Sequence, residues 1–464
     1  MLLIFFISFF KVFKNSYLCP IKLYFMIIKI ISENDYLMDI LYKNPDTDFG
    51  LYFKPLKNGQ IAGNILDKFH YEVVFQDEKY SYMPEEGNQI DYQSFCSPLI
   101  VLHICNELFS HILKSRDEYA QKEIVWLQRT QGEVDTVPCR IEVASFYIDS
   151  NWFRGGRFLL SKYFDGITVE KQSSRIFSLT ITAPTIFEAF NLLCLVSLFT
   201  HSTNDYALFT YIDDNLAQKY GRILTNIQHV PYFVFYLFSL RAVKSENQFH
   251  DLKPLFEEYL TNEGLNVDLK FQGTKQQRMN FISKELDMET PILDIGCGDL
   301  EYYKKMMKIG FKGMYYAVDK EEYVEKLSRH IAKRYEENNL LYFSSLDDFR
   351  STDKLNVLLT EVIEHNSVDD AKSLIRQALE YNVNKMIVTS PNVEFNKFFN
   401  MESPLRHDDH IFEPTTAEFR AMIDECTAGK DCNVEYFSLG DCINGIQPTQ
   451  GCVIQFSSSW TSKD

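Results

Sequence analysis

From residue 290 onward, apolar runs alternate with helical stretches. PILDI (291–295), MYYAVD (314–319), LLYFSS (340–345), LNVLLTE (355–361) and KMIVTSP (385–391) are separated by segments such as VDDAKSLIRQALEY. Continuous apolar runs suit strands buried on both faces, and intervening helices join such strands in parallel. The rhythm predicts an α/β fold, a doubly wound parallel sheet, with VEYFSLG and GCVIQFSSS completing it as a β-hairpin. In such a sheet ligands gather beyond the carboxyl ends of the strands. The chemistry is therefore to be sought in the residues that follow each run.

The first run leads into LDIGCGDLEYY (293–303). Gly296 and Gly298 let the backbone come close to a ligand. The third glycine of a dinucleotide fingerprint is missing. Glu301 stands there instead, where a pyrophosphate needs a neutral or positive surface. Asp294 suits a ligand with a cationic amino group. Asp319, at the end of the second run and about 20 residues further on, suits a ribose diol. Asp, G-x-G and Asp in a strand–loop–helix–strand setting form the pattern of an S-adenosylmethionine site, with Ser345 and Leu346 near the adenine. A tight turn with two surface acids is the plainer alternative.

TEVIEHNSVD (360–369) closes the fourth run. If the chain turns into helix there, Glu361, Glu364 and His365 share one face by i, i+3, i+4 spacing. Two oxygens and a nitrogen suit a divalent cation of the Mg, Mn or Co kind, and the lack of thiolates argues against structural zinc. Alone, the cluster is explained as well by carboxylates favoured at a helix N-terminus. TSPNVEFNKFFNMESPLRHDDHIFEPTTAEF (389–419) shifts the balance, because it follows the fifth run on the same edge of the sheet. His410 can supply a fourth ligand, completing Glu-Glu-His-His. Arg406 is a candidate phosphate clamp. His407 is either solvent-exposed and idle or a proton acceptor. H-I-F-E leads into a helix capped near Thr415.

The first half reads as α+β and carries no catalytic constellation. MIIKIIS (26–32) is a strand, and SPLIVLHICNELFSHIL (97–113) a helix with Ser97 as N-cap and Pro98 at its first position. RIFSLTITA (175–183) alternates as a half-buried strand, and Thr185 with Glu188 forms a capping box for the helix after it. VPYFVFYLFSL (230–240) is a buried helix too short to span a bilayer. Residues 244–274 read as a short helix and a linker, so the expected domains are 26–245, a linker over 246–264, and 265–464. MLLIFFISFF at the start is too short for a span and lacks the layout of a signal peptide. Residues 1–25 are read as an upstream extension before a start at Met26. The ten cysteines are scattered without a C-x-x-C, which fits free thiols in the cytoplasm. The net charge of −17 repels phosphate, so a nucleic-acid partner needs a local basic patch.

LDIGCG, TEVIEH, TSPNVEFN and LRHDDHIFE together resemble the HUA ENHANCER-type RNA 3′-terminal ribose 2′-O-methyltransferases, with their E-x-x-E-H followed by R-x-x-x-H-x-F-E. KQQR (275–278) resembles the family's lead-in helix, and the first half resembles, more weakly, the N-terminal module of the bacterial branch. One departure is Pro414, where the family usually has Trp. The resemblance implies a Rossmann-like methyltransferase domain behind an α+β partner-interaction domain. It also implies methyl transfer from S-adenosylmethionine to the 2′-hydroxyl at an RNA 3′ end. Mg²⁺ or Mn²⁺ would sit on Glu361, Glu364, His365 and His410, with His365 or His407 as proton acceptor. A polynucleotide kinase–phosphatase and ligase is the implied partner in RNA repair. Two rival readings are a methyltransferase for a small molecule or protein, and a cofactor-binding adaptor that recruits a repair partner.

Overall fold

The computed structural model describes residues 26–43, 52–56, 59–77, 96–203, 213–335, 339–399 and 403–456. The expected extension over 1–25 lies outside them. The chain divides into two units, Met1–Val230 with Arg241–Gln248, and Pro231–Leu240 with Phe249–Asp464.

The first unit is α+β. Strands β1 (Met26–Ser32), β2 (Tyr52–Leu56), β3 (Gly59–Asp67), β4 (His70–Asp77), β5 (Cys139–Tyr147), β6 (Ile167–Lys171) and β7 (Ile176–Ala183) form one antiparallel sheet. Its order is β6-β7-β5-β1-β4-β3-β2. Met26, Ile28 and Ile30 of β1 point inward by the two-residue period of a strand, and Ile28 lies opposite both Val73 of β4 and Val143 of β5. Helix α1 (Pro98–Leu108) starts as the sequence predicts, with the Ser97 hydroxyl accepting from the Leu99 amide. Helix α2 (Ile186–Thr203) opens where the Thr185 hydroxyl accepts from the Glu188 amide at 3.1 Å, and it packs on β5 and β7. Helix α3 (Asp214–Thr225) packs beside it.

Two segments differ from the sequence reading. Helix α4 (Tyr232–Arg241) stands ahead of the expected boundary, yet all of it but Arg241 clusters with the second unit. The Tyr232 hydroxyl donates to Asp441 at 2.6 Å, and the ring packs on Phe395 and Phe399. The expected linker is helix α5 (Glu246–Asn262). Phe249, Leu252, Phe256 and Leu260 are buried along one stripe, which outweighs the polar composition and Pro254 inside the helix.

The second unit is the doubly wound sheet. Its strands are β8 (Ile292–Ile295), β9 (Tyr315–Val318), β10 (Leu340–Phe343), β11 (Leu355–Thr360), β12 (Val383–Pro391), β13 (Cys432–Leu439) and β14 (Thr449–Phe456). They lie in the order β10-β9-β8-β11-β12-β14-β13. The first five are parallel, and β14 and β13 add the antiparallel hairpin. Alternate residues feed two cores. Leu293, Val357 and Val388 meet helices α9 (Val368–Ala378) and α10 (Thr416–Thr427) on one face. Ile292, Leu358 and Ile387 meet α6 (Thr274–Glu285), α7 (Glu301–Lys308) and α8 (Glu322–Tyr335) on the other. With both faces covered, the strands need no polar alternation, which is why they read as unbroken apolar runs.

Helix α10 is anchored by a full capping box. The Thr415 hydroxyl accepts from the Glu418 amide, and the Glu418 carboxylate accepts from the Thr415 amide at 2.9 Å. Thr415→Ala should lower stability by about 1 kcal/mol. Urea unfolding of the variant with an unchanged midpoint would show that the cap contributes nothing.

Candidate active site

The glycine loop is built around two bends. Gly296 has φ +73° and Gly298 φ +47°, a region that favours glycine, and a Cβ at Gly296 would run into the Val362 side chain. The amides of Gly296 and Cys297 donate to the Val318 carbonyl at 2.8 and 3.2 Å, folding the loop over the end of β9. The Asp319 carboxylate is fixed by the Gly298 amide at 2.8 Å and the Glu321 amide at 3.0 Å. Asp294 is 1% exposed. One oxygen accepts from the Tyr315 hydroxyl at 2.5 Å, and Oδ1 has no hydrogen-bond partner. Burial pushes this carboxyl up to about 7; the Tyr315 bond opposes that and the Asp319 charge adds to it. Ser345 follows β10 and caps the turn Leu346–Asp348, while Leu346 is buried in the core beside Phe349. The orphaned, buried Asp294 oxygen beside this loop fits a ligand carrying an ammonium group.

The TEVIEH segment does not enter an α-helix. Glu361 takes φ +56°, a left-handed conformation, and Ile363–His365 form a single 3₁₀ turn. The shared helical face is therefore broken between Glu361 and the other two. The Glu361 carboxylate turns to Arg278 of α6, at 2.9 Å, and accepts from the Thr389 hydroxyl at 3.0 Å. Arg278 also donates to the Tyr302 hydroxyl at 3.3 Å.

Glu364 and His365 meet His410 because the distant loop is bonded to this turn. The Glu364 carbonyl accepts from the amides of Ile411 and Phe412 at 2.8 and 3.3 Å. Ligand atoms of Glu364, His365 and His410 all lie within 4.8 Å of one another. Glu364 is fully buried, and neither carboxylate oxygen has a hydrogen-bond partner. Burial holds its carboxyl well above the ordinary range, and the nearby Glu361 charge raises it further. An isolated buried carboxylate is costly unless something cationic meets it. His410 presents Nδ1 to Glu413 at 2.6 Å, and His365 presents Nδ1 to the Asp409 carbonyl at 3.3 Å. Donation from Nδ1 leaves Nε2 of each ring with its lone pair, the tautomer a metal needs. One orphaned carboxylate and two oriented imidazoles fit a divalent cation.

Arg406 is engaged inside the chain. Its guanidinium donates to the carbonyls of Asn392 and Pro448 at 2.9 and 2.6 Å and to the Asn396 side chain at 2.7 Å. These bonds fasten the loop, in place of the open fork that a phosphate clamp requires. His407 is exposed, with its ring 5.0 Å from that of His410.

Sequence reasoning gave no role to Glu413 or to Arg278. Glu413 is buried and takes the Arg406 amide at 2.8 Å, the Asn396 side chain at 2.5 Å and His410. The three-residue spacing from His410 to Glu413 in H-I-F-E was the available signal. Arg278 stands in KQQR, but nothing in that helix announces a carboxylate brought in by a strand end.

Residues 27–261 match the family model described as the Hen1 N-terminal domain. A chain in the structure of the Pnkp1/Rnl/Hen1 RNA repair complex is 47% identical, over 93% of this chain and 100% of that one, with a TM-score of 0.81. A chain in a second Pnkp1/Rnl/Hen1 complex is 47% identical over the same shares, with a TM-score of 0.79. The small RNA methyltransferase HEN1 is 20% identical over 41% of this chain and 27% of that one, with a TM-score of 0.37. No curated protein sequence matches the chain.

The burial of Asp294 makes a pH prediction. A cationic ligand needs the carboxylate, and this group is protonated below a pKa of about 7. Affinity for S-adenosylmethionine should therefore be present above that value and fall as pH drops, by about tenfold between pH 8 and pH 6. Calorimetry across that range checks it, and Asp294→Asn should bind weakly with a flat profile.

Proposed function

This chain belongs to the Hen1 family, and from that premise we propose that it methylates the 2′-hydroxyl of the 3′-terminal ribose of RNA, in RNA repair. The observation that carries the reading is the buried Glu364 carboxylate, without a hydrogen-bond partner, beside two imidazoles oriented from behind. The domain reading is an N-terminal partner domain followed by a methyltransferase domain.

S-adenosylmethionine brings the methyl group. The Asp294 carboxylate takes its ammonium group, Asp319 takes the ribose hydroxyls, and Ser345 and Leu346 lie on the adenine side. Glu364, His365 and His410 would hold Mg²⁺ or Mn²⁺, which would supply Lewis-acid activation for the 2′-hydroxyl of a terminal 2′,3′-diol at neutral pH. Glu361, the further carboxylate of the expected set, is engaged by Arg278 and the Thr389 hydroxyl. Glu413 fixes the tautomer and angle of His410, and Arg406 holds the loop that carries both. His407 is exposed beside the cluster and can accept the hydroxyl proton. Recognition of both hydroxyls restricts the reaction to an end, since an internal nucleotide has no free 3′-hydroxyl.

The N-terminal unit is the proposed contact to a kinase–phosphatase and ligase, a reading supported by the likeness to a chain of the Pnkp1/Rnl/Hen1 complexes. Among the described residues no helix is long and apolar enough to cross a membrane.

Glu364→Ala and His410→Ala should each lose roughly a thousandfold in methylation, while S-adenosylmethionine affinity stays unchanged. RNA ending in 2′-OH and 3′-OH should be methylated, RNA ending in 3′-phosphate should not, and EDTA should abolish the reaction. Full activity in EDTA would mean that the cluster is structural. Glu413→Gln should lower activity by about 10–100-fold, with part of the loss recovered at higher Mn²⁺. A loss that Mn²⁺ leaves unchanged would remove Glu413 from the support of His410.

A further inference from the structure

A cleft of about 700 Å³ opens in the first unit, far along the sequence from the site above. Arg157, Lys171 and Arg175 line it, and no carboxylate does. In a chain of net charge −17 this is a local reversal of sign. Phe153, Phe158 and Phe177 also line it, and Ser161, Thr168 and Ser174 add hydroxyls.

Phe153–Arg154 and Arg157–Phe158 pair as a two-stranded hairpin, which sets Arg154 directly opposite Arg157. Like charges facing each other across a hairpin repel. The turn between them, Gly155 at φ +55° and Gly156 at φ +78°, is the Gly-Gly form that closes a tight hairpin and enforces that pairing. Arg175 leans on the Tyr147 hydroxyl at 3.0 Å and lies 3.8 Å from Asp149. Arg157 and Lys171 make no ion pair among the described residues. Arg157 and Lys171, exposed on the rim of a cleft whose lining holds no carboxylate, are an arrangement that an anion would relieve.

We propose that this cleft binds the phosphate backbone of single-stranded RNA, as a second RNA contact separate from the methylation site. Cations beside the half-buried Phe153 ring, with Phe158 and Phe177 buried against it, suit a nucleotide chain, which offers phosphates and base faces together. A phosphopeptide would call on the cations alone. The choice of RNA rests on the proposed function; the anion site does not.

The test uses the full chain and a 5′-labelled single-stranded oligouridylate ending in 3′-phosphate. That end is not a substrate in the proposed reaction, so binding is read without methylation. In anisotropy titrations R157A/K171A should bind at least about tenfold more weakly. Its plot of log affinity against log salt should be shallower by about 1.4, the loss of two phosphate contacts on a single strand. R157K/K171R should keep most of the affinity, and both variants should keep the wild-type circular dichroism and S-adenosylmethionine affinity. Equal affinity and equal salt slope in R157A/K171A would overturn the proposal. So would competition by uridine monophosphate or inorganic phosphate at concentrations matching the oligonucleotide, which would assign the cleft to a free anion. Preference for a phosphoserine peptide over the RNA would overturn it as well. Loss of methylation in Glu364→Ala with this binding intact would leave the two conclusions separate.

Discussion

Glu364 is held by its backbone and unmet at its carboxylate, and the second unit's site depends on it. Its carbonyl accepts two amides from the loop at Ile411 and Phe412, and its carboxylate is buried beside His365 and His410. The backbone bonds fix where the loop sits. The carboxylate, with no donor of its own, sets what that loop must bring. Leaving such a group unmet costs several kcal/mol, so the site is stable only in company with positive charge or with a proton. Metal binding and protonation compete for the same oxygens.

Around that residue the charges are arranged in relays. Glu413 collects the Arg406 amide, the Asn396 side chain and His410 in one buried carboxylate, so a single group positions the loop and the imidazole together. Arg278 plays the opposite part for Glu361. It supplies a cation from the lead-in helix to Glu361, whose charge is near enough to raise the Glu364 carboxyl, and it touches Tyr302 at the start of the helix behind the glycine loop. The glycine-loop side and the cluster side thus share one arginine. Asp294 and Asp319 divide labour in the same way. Asp319 is ordered by backbone amides, whereas Asp294 is buried with an oxygen unmet.

The two units differ in how charge is used. In the second, carboxylates are buried and wait for cations. In the first, three cations line a cleft that has no carboxylate in its lining. A global charge of −17 keeps a polyanion away from most of the surface, so a basic cleft carries weight beyond its size.

Much of this was legible in the sequence. The unbroken apolar runs after residue 290 determined the parallel sheet, because strands covered on both faces have no polar side to show. LDIGCG and Asp319 marked the loop proposed to take the methyl donor, where Gly296 combines a positive φ with the close approach of Val362. Ser97, Thr185 and Thr415 announced helix starts through local hydrogen bonds that need no distant partner. Tertiary structure decided the rest. The helix-face argument for Glu361, Glu364 and His365 failed because one left-handed residue re-aims a side chain, and a single φ angle leaves no trace in spacing. Arg406 looked like an open fork until the carbonyls of Asn392 and Pro448, 14 and 42 residues away, took its donors. The helix at 246–262 was hidden by its polar face, and its apolar stripe gained meaning only once there was a core to bury it against. Local propensity and periodicity are written in neighbouring residues; which buried charge meets which partner is settled by chain segments far apart, and only the fold brings them together.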